Sequence, residues 1–331
     1  MSSENTNKEI VLKYFASESV SSIKEFGNRI IVTLTAPEDK DKEEQLKAEL
    51  FEQNKDKKIS VIFVSDKKES NEISDKWIIN GVKNIVAVAS GKGGVGKSTT
   101  SVNLALALAN KNLKVALFDA DIYGPSVPMM LGYANEPPIS HDGIHFCPYR
   151  ECGIASMSIG SMINTDTALI WRGAKACGAI QQLLTQTDWG NTDVMIIDMP
   201  PGTGDIQITM TQKIDFTGAL IVSTPQDIAL IDAVKGINLF NKIGVPVLGI
   251  VENMSYYICE KCGHRADIFG HAGAEQTAKK YGIDFLGEIP LHYDIRVNSD
   301  QGTPIVQSAP SSPYAEAYSN IADNLIKKLK L

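Results

Sequence analysis

From Asn84 onward the chain carries short apolar runs rich in β-branched residues: Ile85–Ala89, Lys114–Phe118, Val194–Ile197, Ala219–Val222 and Val247–Val251. They are near-continuous rather than alternating, which predicts strands buried on both faces of a mainly parallel sheet. Segments such as Ser98–Ala109 and Ile228–Ile243 lie between them and read as helices. Each apolar run is followed by a loop containing Gly, Pro, Asp or Asn. The alternation predicts an α/β fold with a doubly wound, mainly parallel sheet, whose ligands bind at the C-terminal strand ends. The first part of the chain differs. Asn28–Thr35 alternates like a half-buried strand, Lys40–Gln53 reads as a helix and Lys58–Val64 as a second strand. These form a small β-α-β unit, and the charged stretch Ser65–Asp75 reads as a linker. The expected division is a small α/β domain over 1–80 and a large α/β domain over 81–331.

Charge supports that division. Residues 1–80 carry 29 of the charged side chains, and the remaining 251 residues carry 42. The net charge of −7 gives no electrostatic reason to expect nucleic acid or an anionic membrane as partner. The N-terminus MSSENTNKEI has no apolar signal segment, and no run of about 18 apolar residues predicts a membrane span. A cytoplasmic protein with reduced thiols is expected. The five cysteines are an odd number, which excludes a fully paired disulfide framework and turns attention to metal or redox chemistry.

Gly91-Lys92-Gly93-Gly94-Val95-Gly96-Lys97-Ser98 fits G-x-x-x-x-G-K-[ST] between a predicted strand and a predicted helix. In that context glycines let backbone N–H groups turn onto phosphate oxygens, and the helix N-terminus adds a favourable dipole. Lys97 is placed to reach the β- and γ-phosphates and the Ser98 hydroxyl to bind Mg²⁺. Thr99 extends the nucleotide-contacting stretch. Lys92 adds a charge that one phosphate chain does not need; it is either a solvated loop lysine or one that reaches a partner's nucleotide across a dimer interface.

Here the residues resemble the deviant Walker A ATPases, such as MinD/ParA, whose loop reads GKGGVGK[ST]. The resemblance implies a dimer in which Lys92 acts on the partner's nucleotide. Asp119 and Asp121 follow the second strand in DADIYGPS, and Asp121 resembles the switch I aspartate that positions the attacking water. Lys92, Lys97 and Asp121 are thus the expected catalytic residues. Asp198 opens DMPPGTGD after the third strand and matches the Walker B-like carboxylate that holds Mg²⁺ through water. Asn253 follows the strand Val247–Val251 and, in the family, reads the adenine edge; Pro290 in Gly-Glu-Ile-Pro matches the residue after a later strand that flanks the base pocket.

Cys259-Glu260-Lys261-Cys262 is a C-x-x-C whose turn can aim two thiolates at one metal. Three readings compete on the residues alone: zinc with His264 and His271, a thioredoxin-like redox pair, or one iron–sulfur cluster shared by two chains, which together supply four thiolates. The run Val251–His264 followed by Ile268-Phe269-Gly270 resembles the Mrp/ApbC iron–sulfur carrier subgroup, as do DADIYGPS and DMPPGTGD. By that resemblance Cys259 and Cys262 ligate a transferable [4Fe–4S] cluster at the interface of a homodimer. The implied role is an ATP-dependent carrier that takes the cluster from a donor and delivers it to apo iron–sulfur proteins. The subgroup usually reads Phe-Gly-x-Gly-Gly after the cysteines; here the sequence is Phe269-Gly270-His271-Ala272-Gly273. Cys147, Cys152 and Cys177 lack C-x-x-C spacing and read as core residues.

Two other classes stay open. A MinD/ParA-like positioning or partitioning ATPase would use Tyr318–Leu331 as an amphipathic membrane anchor, although the same pattern fits a helix packed on the sheet. A reductase like the nitrogenase iron protein would share the dimer-bridging cluster, but its two cysteines lie far apart in sequence rather than in a C-x-x-C.

Overall fold

The computed structural model describes residues 3–26, 29–34, 39–63, 76–134, 136–140, 142–162 and 173–331. The chain divides into two compact units, Met1–Ser74 and Asp75–Leu331. This division falls slightly before residue 80 because Trp77 is buried in the second unit's core and donates its backbone N–H to Lys213 O at 2.7 Å. The expected linker Ser65–Asp75 lies outside the described residues, as do Asn28, Thr35 and Val64 at the ends of the expected strands.

The first unit contains α1 (Ser3–Tyr14), β1 (Val20–Phe26), β2 (Arg29–Leu34), α2 (Lys40–Gln53) and β3 (Lys58–Phe63). β1 pairs antiparallel with β2, and β2 pairs parallel with β3 across α2. Ile30, Val32 and Leu34 alternate onto one face and pack with Ile10 and Val11 of α1 and Leu46 and Leu50 of α2. Asp39 caps α2 by accepting the Lys42 N–H at 3.2 Å. The β-α-β reading is thus present but incomplete: α1 and β1 precede it. Both are predominantly polar in sequence, and each contributes only a few apolar positions to this small core.

The second unit is a seven-stranded parallel sheet. Its elements in chain order are β4 (Val82–Ala89), α3 (Lys97–Ala109), β5 (Val115–Asp119), α4 (Val127–Met130), the short ribbon β6 (Ile139–Ser140) and β7 (Phe146–Cys147), β8 (Ala155–Ser158), α5 (Gly173–Gln186) and β9 (Thr192–Asp198). There follow α6 (Asp205–Lys213), β10 (Gly218–Ser223), α7 (Asp227–Lys242), β11 (Val247–Glu252), a second ribbon β12 (Tyr257–Ile258) and β13 (Arg265–Ala266), α8 (Gly273–Tyr281), β14 (Phe285–Glu288), α9 (Tyr293–Asp300), α10 (Ile305–Ser308) and α11 (Pro313–Leu329). The sheet order is β14-β11-β10-β4-β9-β5-β8, with every pairing parallel. Strands β5, β9 and β10 and the last five residues of β4 are almost wholly buried, as their continuous apolar runs require.

β4 is central, so the loop after it opens at the middle of the sheet's C-terminal edge. The loops after β5, β9, β11 and β14 open on the same edge. On α11, Tyr318, Ile321, Ala322 and Leu325 are buried, and the helix packs against α3 and β14. The apolar stripe that suggested a membrane anchor is therefore core. Among the described residues no helix is long and apolar enough to cross a membrane.

Candidate functional site

The loop between β4 and α3 is shaped by its glycines. Gly94 and Gly96 have φ of +82° and +81°, values that L side chains rarely adopt. Gly96 also has no room for a side chain: a Cβ there would lie 2.0 Å from Asn253 Nδ2. A Cβ at Gly91 would meet the Asp232 backbone on α7 at 2.1 Å. The pattern G-x-x-x-x-G thus reflects two close approaches as well as a turn.

Lys97 begins α3 and is buried at the loop's base. Its Nζ lies 2.9 Å from Asp198 Oδ1 and 3.7 Å from Asp121 Oδ2. Asp198 ends β9, is fully buried, and accepts hydrogen bonds from Ser98 Oγ (2.6 Å) and Ser101 Oγ (2.7 Å). A hydroxyl and a carboxylate facing each other at a phosphate loop are hard oxygen donors of the kind Mg²⁺ takes. The donor set therefore fits Mg²⁺, which would supply charge neutralisation between phosphate oxygens there.

Asp121 accepts the backbone N–H groups of Tyr123 and Gly124, both at 3.3 Å, so its carboxylate is held over the loop by its own turn. Burial raises its pKa, against the pull of Lys97. Asp119 does different work. It is fully buried and accepts from the N–H groups of Asp121 (3.0 Å) and Val127 (3.2 Å) and from Ser158 Oγ (2.9 Å). Burial first, and then the Asp198 charge, push its carboxyl up to about 7. Asp119 shapes the loop that carries Asp121.

A cavity of about 260 Å³ is lined by Lys92, Gly93, Gly94, Gly96, Lys97, Ser98, Thr99 and Asp121. A second, of about 210 Å³, is lined by Asn253, Pro290, His292 and Ile295 among others. Gly96, Thr99 and Met130 line both, so the two cavities adjoin. Together they form one recess running from the phosphate-loop motif to Asn253 and Pro290. Asn253 Nδ2 donates to Val95 O at 2.8 Å, which leaves its Oδ1 as the acceptor. Lys92 is half-buried in the phosphate cavity's wall, and its backbone carbonyl accepts from Ser90 Oγ (2.9 Å). The structure thus gathers the sequence-selected residues from Gly91 to Thr99 with Asp121, Asp198, Asn253 and Pro290. Met130, Ser101 and His292 join them with no sequence motif to announce them.

The C-x-x-C forms the turn of the β12–β13 ribbon. Cys259 N–H donates to His264 O (2.9 Å), Gly263 N–H donates to Cys259 O (2.8 Å), and Gly263 takes φ of +70° to close the turn. Backbone N–H groups of Cys262 and Lys261, then the Cys262 thiol, hold the Cys259 thiol below its usual pKa, which favours the ligating thiolate. Cys259 is half-buried and Cys262 exposed, and neither is in a disulfide. A thioredoxin-like pair would open a helix, whereas this one sits on a hairpin. His271 pairs with Asp267 (3.1 Å), and among the described residues no three His, Cys, Asp or Glu side chains gather around one centre. The zinc reading therefore finds no third ligand within this chain's described residues.

The ribbon is anchored at its root. Arg265 makes a two-pronged contact with Glu288 (2.9 and 3.0 Å), donates to Asp267 (3.2 Å) and lies 3.9 Å above the Tyr256 ring. Ser255 Oγ donates to Glu252 (2.6 Å) and Glu288 (3.1 Å), and Glu252 also accepts the Ala274 N–H (2.6 Å) at the start of α8. The ribbon is thereby tied to the ends of β11 and β14, the strands that present Asn253 and Pro290. Ala272, where the carrier subgroup reads Gly, adopts the left-handed conformation (φ 55°) that Gly would take freely.

Comparison with known proteins agrees with this geometry. Residues 81–326 match the model of the ParA family described as the NUBPL iron-transfer P-loop NTPase. The iron–sulfur cluster carrier protein of Escherichia coli K12 is 56% identical over 251 residues, covering 76% of this chain and 68% of the relative. Among solved structures, the nucleotide-binding protein of Archaeoglobus fulgidus in complex with ADP is similar, with a TM-score of 0.63 and 35% identity over 75% of this chain and 96% of that one. The cell division ATPase MinD of Pyrococcus furiosus (TM-score 0.57, 24% identity, 74% and 98% covered) shares the fold. From its phosphate loop to its C-terminal helix, this chain belongs to the NUBPL iron-transfer family of ParA-type P-loop NTPases.

Proposed function

We propose that the protein is an ATP-dependent iron–sulfur cluster carrier. Two chains hold one [4Fe–4S] cluster as cargo between Cys259 and Cys262 of each, accept it from a donor and deliver it to apo-proteins. The carrying observation is the C-x-x-C hairpin, with one thiol favoured as thiolate, anchored to the strand ends that line the nucleotide cavities. Gly91–Thr99 seats the triphosphate, with Ser98 and Asp198 around Mg²⁺. Asn253 Oδ1 accepts from the exocyclic amine of adenine, and Pro290 flanks the base. Lys97 leaves Asp198 and Asp121 to meet the β- and γ-phosphates, which frees Asp121 to orient the attacking water. Lys92 reaches the partner's nucleotide. Hydrolysis is slow and serves to open and close the homodimer around the cluster. These roles belong to an ATPase domain over 81–331, which follows a small α/β domain over 1–80 in the chain. The setting is cytoplasmic, without nucleic-acid or membrane partners. The positioning reading loses its anchor, because the apolar face of α11 is core.

The test is anaerobic reconstitution with iron and sulfide, followed by absorption and Mössbauer spectra and by transfer to an apo-protein with and without ATP. Wild-type protein loads a [4Fe–4S] cluster, and Cys259→Ala and Cys262→Ala each lose iron and sulfide. Unchanged iron content in both variants would sink the proposal.

A further inference from the structure

His292 stands between the two sites. It lines the base cavity beside Pro290 and Leu291. Its side chain is only 5% exposed, and its Nε2 lies 3.2 Å from Oε1 of Glu260, which is inside the C-x-x-C. The ring is tightly set: it stacks on Tyr314 at 3.9 Å with 20° between the planes, and Nδ1 accepts the Asp294 N–H at 3.2 Å. An accepting Nδ1 leaves the ring proton on Nε2. Yet Nε2 has no hydrogen-bond partner among the described residues, although Glu260 Oε1 lies 3.2 Å away. A buried donor without a partner is rare, and here the acceptor that would satisfy it is within reach on an exposed, rotatable side chain. The backbone adds a stiff connection alongside. Leu291 N–H donates to Tyr256 O (2.7 Å) and Ser255 N–H donates to Ile289 O (2.9 Å), so the loop carrying Pro290 and His292 is bonded directly to the root of the cysteine ribbon.

We propose that His292 and Glu260 are positioning residues that couple occupation of the base cavity to the state of the Cys259–Cys262 turn. The inference rests on the reading above that the cavity takes adenine and that the turn presents the cluster thiolates. A base entering the slot presses on the wall that His292 forms. A small rotation of the ring or of Glu260 then completes the Nε2–H to carboxylate hydrogen bond and pins the turn; without the base the turn is free to move. Coupling of this kind requires that one ligand state have a contact the other lacks, and the unsatisfied Nε2–H is that contact. Linkage makes the effect reciprocal, so a loaded turn also changes affinity for the nucleotide.

The test uses full-length, reduced, cluster-free protein and follows iodoacetamide alkylation of Cys259 and Cys262 by peptide mass mapping. Rates are measured without nucleotide, with Mg-ATP, and with Mg-tripolyphosphate, which fills the phosphate seat but not the base slot. In the wild type Mg-ATP changes the rate by about 5-fold or more, the lower end of typical coupling, and tripolyphosphate does not. In Glu260→Ala, which removes the acceptor, the ratio of rates with and without Mg-ATP falls to near one, whatever the absolute rates. His292→Phe, which keeps the stack on Tyr314, does the same. A wild-type ratio near one, a wild-type-sized ratio in Glu260→Ala, or an equal response to tripolyphosphate overturns the inference. Cluster loading is not part of this readout. Failure to bind iron with responsive thiols would remove the carrier reading alone, and normal loading with unresponsive thiols would remove this coupling alone.

Discussion

Gly96 is where the phosphate seat, the base slot and Asn253 meet, and a graded series across the loop tests whether geometry sets its glycines. Gly93 has open space around it and an ordinary φ, Gly94 has open space but φ of +82°, and Gly96 has φ of +81° with Asn253 Nδ2 where a Cβ would stand. Alanine at Gly93 meets neither obstacle, so its folding cost stays within about 0.5 kcal/mol. At Gly94 the left-handed conformation alone costs about 1–2 kcal/mol. At Gly96 the same strain applies, and Asn253 must also withdraw, breaking its 2.8 Å bond to Val95 O and leaving buried polar groups unpaired. That adds about 1–3 kcal/mol, for a total of about 2–5 kcal/mol. The assay is urea unfolding of nucleotide-free protein followed by tryptophan fluorescence. All three tryptophans lie beyond Ser74, so the signal reports the ATPase unit alone. Adding Asn253→Ala to Gly96→Ala removes the clash, so the double variant is less destabilised than the sum of the singles. If Gly96→Ala proves no worse than Gly94→Ala, or strictly additive with Asn253→Ala, the close approach at Gly96 is not what fixes the residue.

Asp119 has a folded-state pKa of about 7 against an ordinary 3.8, so the folded state binds the extra proton between those values. Its contribution is fully present below about pH 4 and is lost as pH rises through about 7, by at most about 4 kcal/mol. Urea midpoints of wild type and Asp119→Asn should therefore converge or cross over that window, and parallel curves would refute the assignment. Ala272→Gly relieves a left-handed alanine and should stabilise the ATPase unit by up to about 1 kcal/mol in the same assay; a loss of stability would contradict the strain. If Lys92 acts on the partner's nucleotide, Lys92→Ala and Lys97→Ala should each be inactive in ATP turnover and should regain turnover when mixed, since the mixed dimer has one site with both lysines. No recovery on mixing, with mixed dimers verified by mass spectrometry, would place Lys92 in its own chain's site.

The strands most legible in the sequence were those that the sheet buries on both faces. Ile85–Ala89, Lys114–Phe118, Val194–Ile197, Ala219–Val222 and Val247–Val251 correspond to β4, β5, β9, β10 and β11 within one to three residues at their ends. β8 escaped because Ala155-Ser156-Met157-Ser158 has no β-branched run. Its serines are buried only because Ser156 Oγ bonds Tyr133 OH (2.6 Å) and Ser158 Oγ bonds Asp119 (2.9 Å), partners from other parts of the chain. β14 was implied only through the resemblance at Pro290. Its Gly287 has φ of +147°, outside the regular strand pattern, and a Cβ there would meet Ile321 of α11 at 2.9 Å.

The same distinction runs through the site. Groups set in a single turn at a strand end or helix start leave a local signature, because a turn must have glycine and a helix must begin at a fixed place. Gly91 to Ser98, Asp121, Asp198 and the two cysteines belong to that class, and each was legible from its neighbours in sequence. Arg265, Glu288 and His292 act on other side chains. Arg265 finds Glu288 across the strand ends, and His292 finds Glu260 across a span with no spacing rule. Nothing local constrains such residues, so no motif records them. The phosphate-loop motif and the C-x-x-C could therefore be read separately, while the contacts between their surroundings depend on β11 and β14 lying side by side.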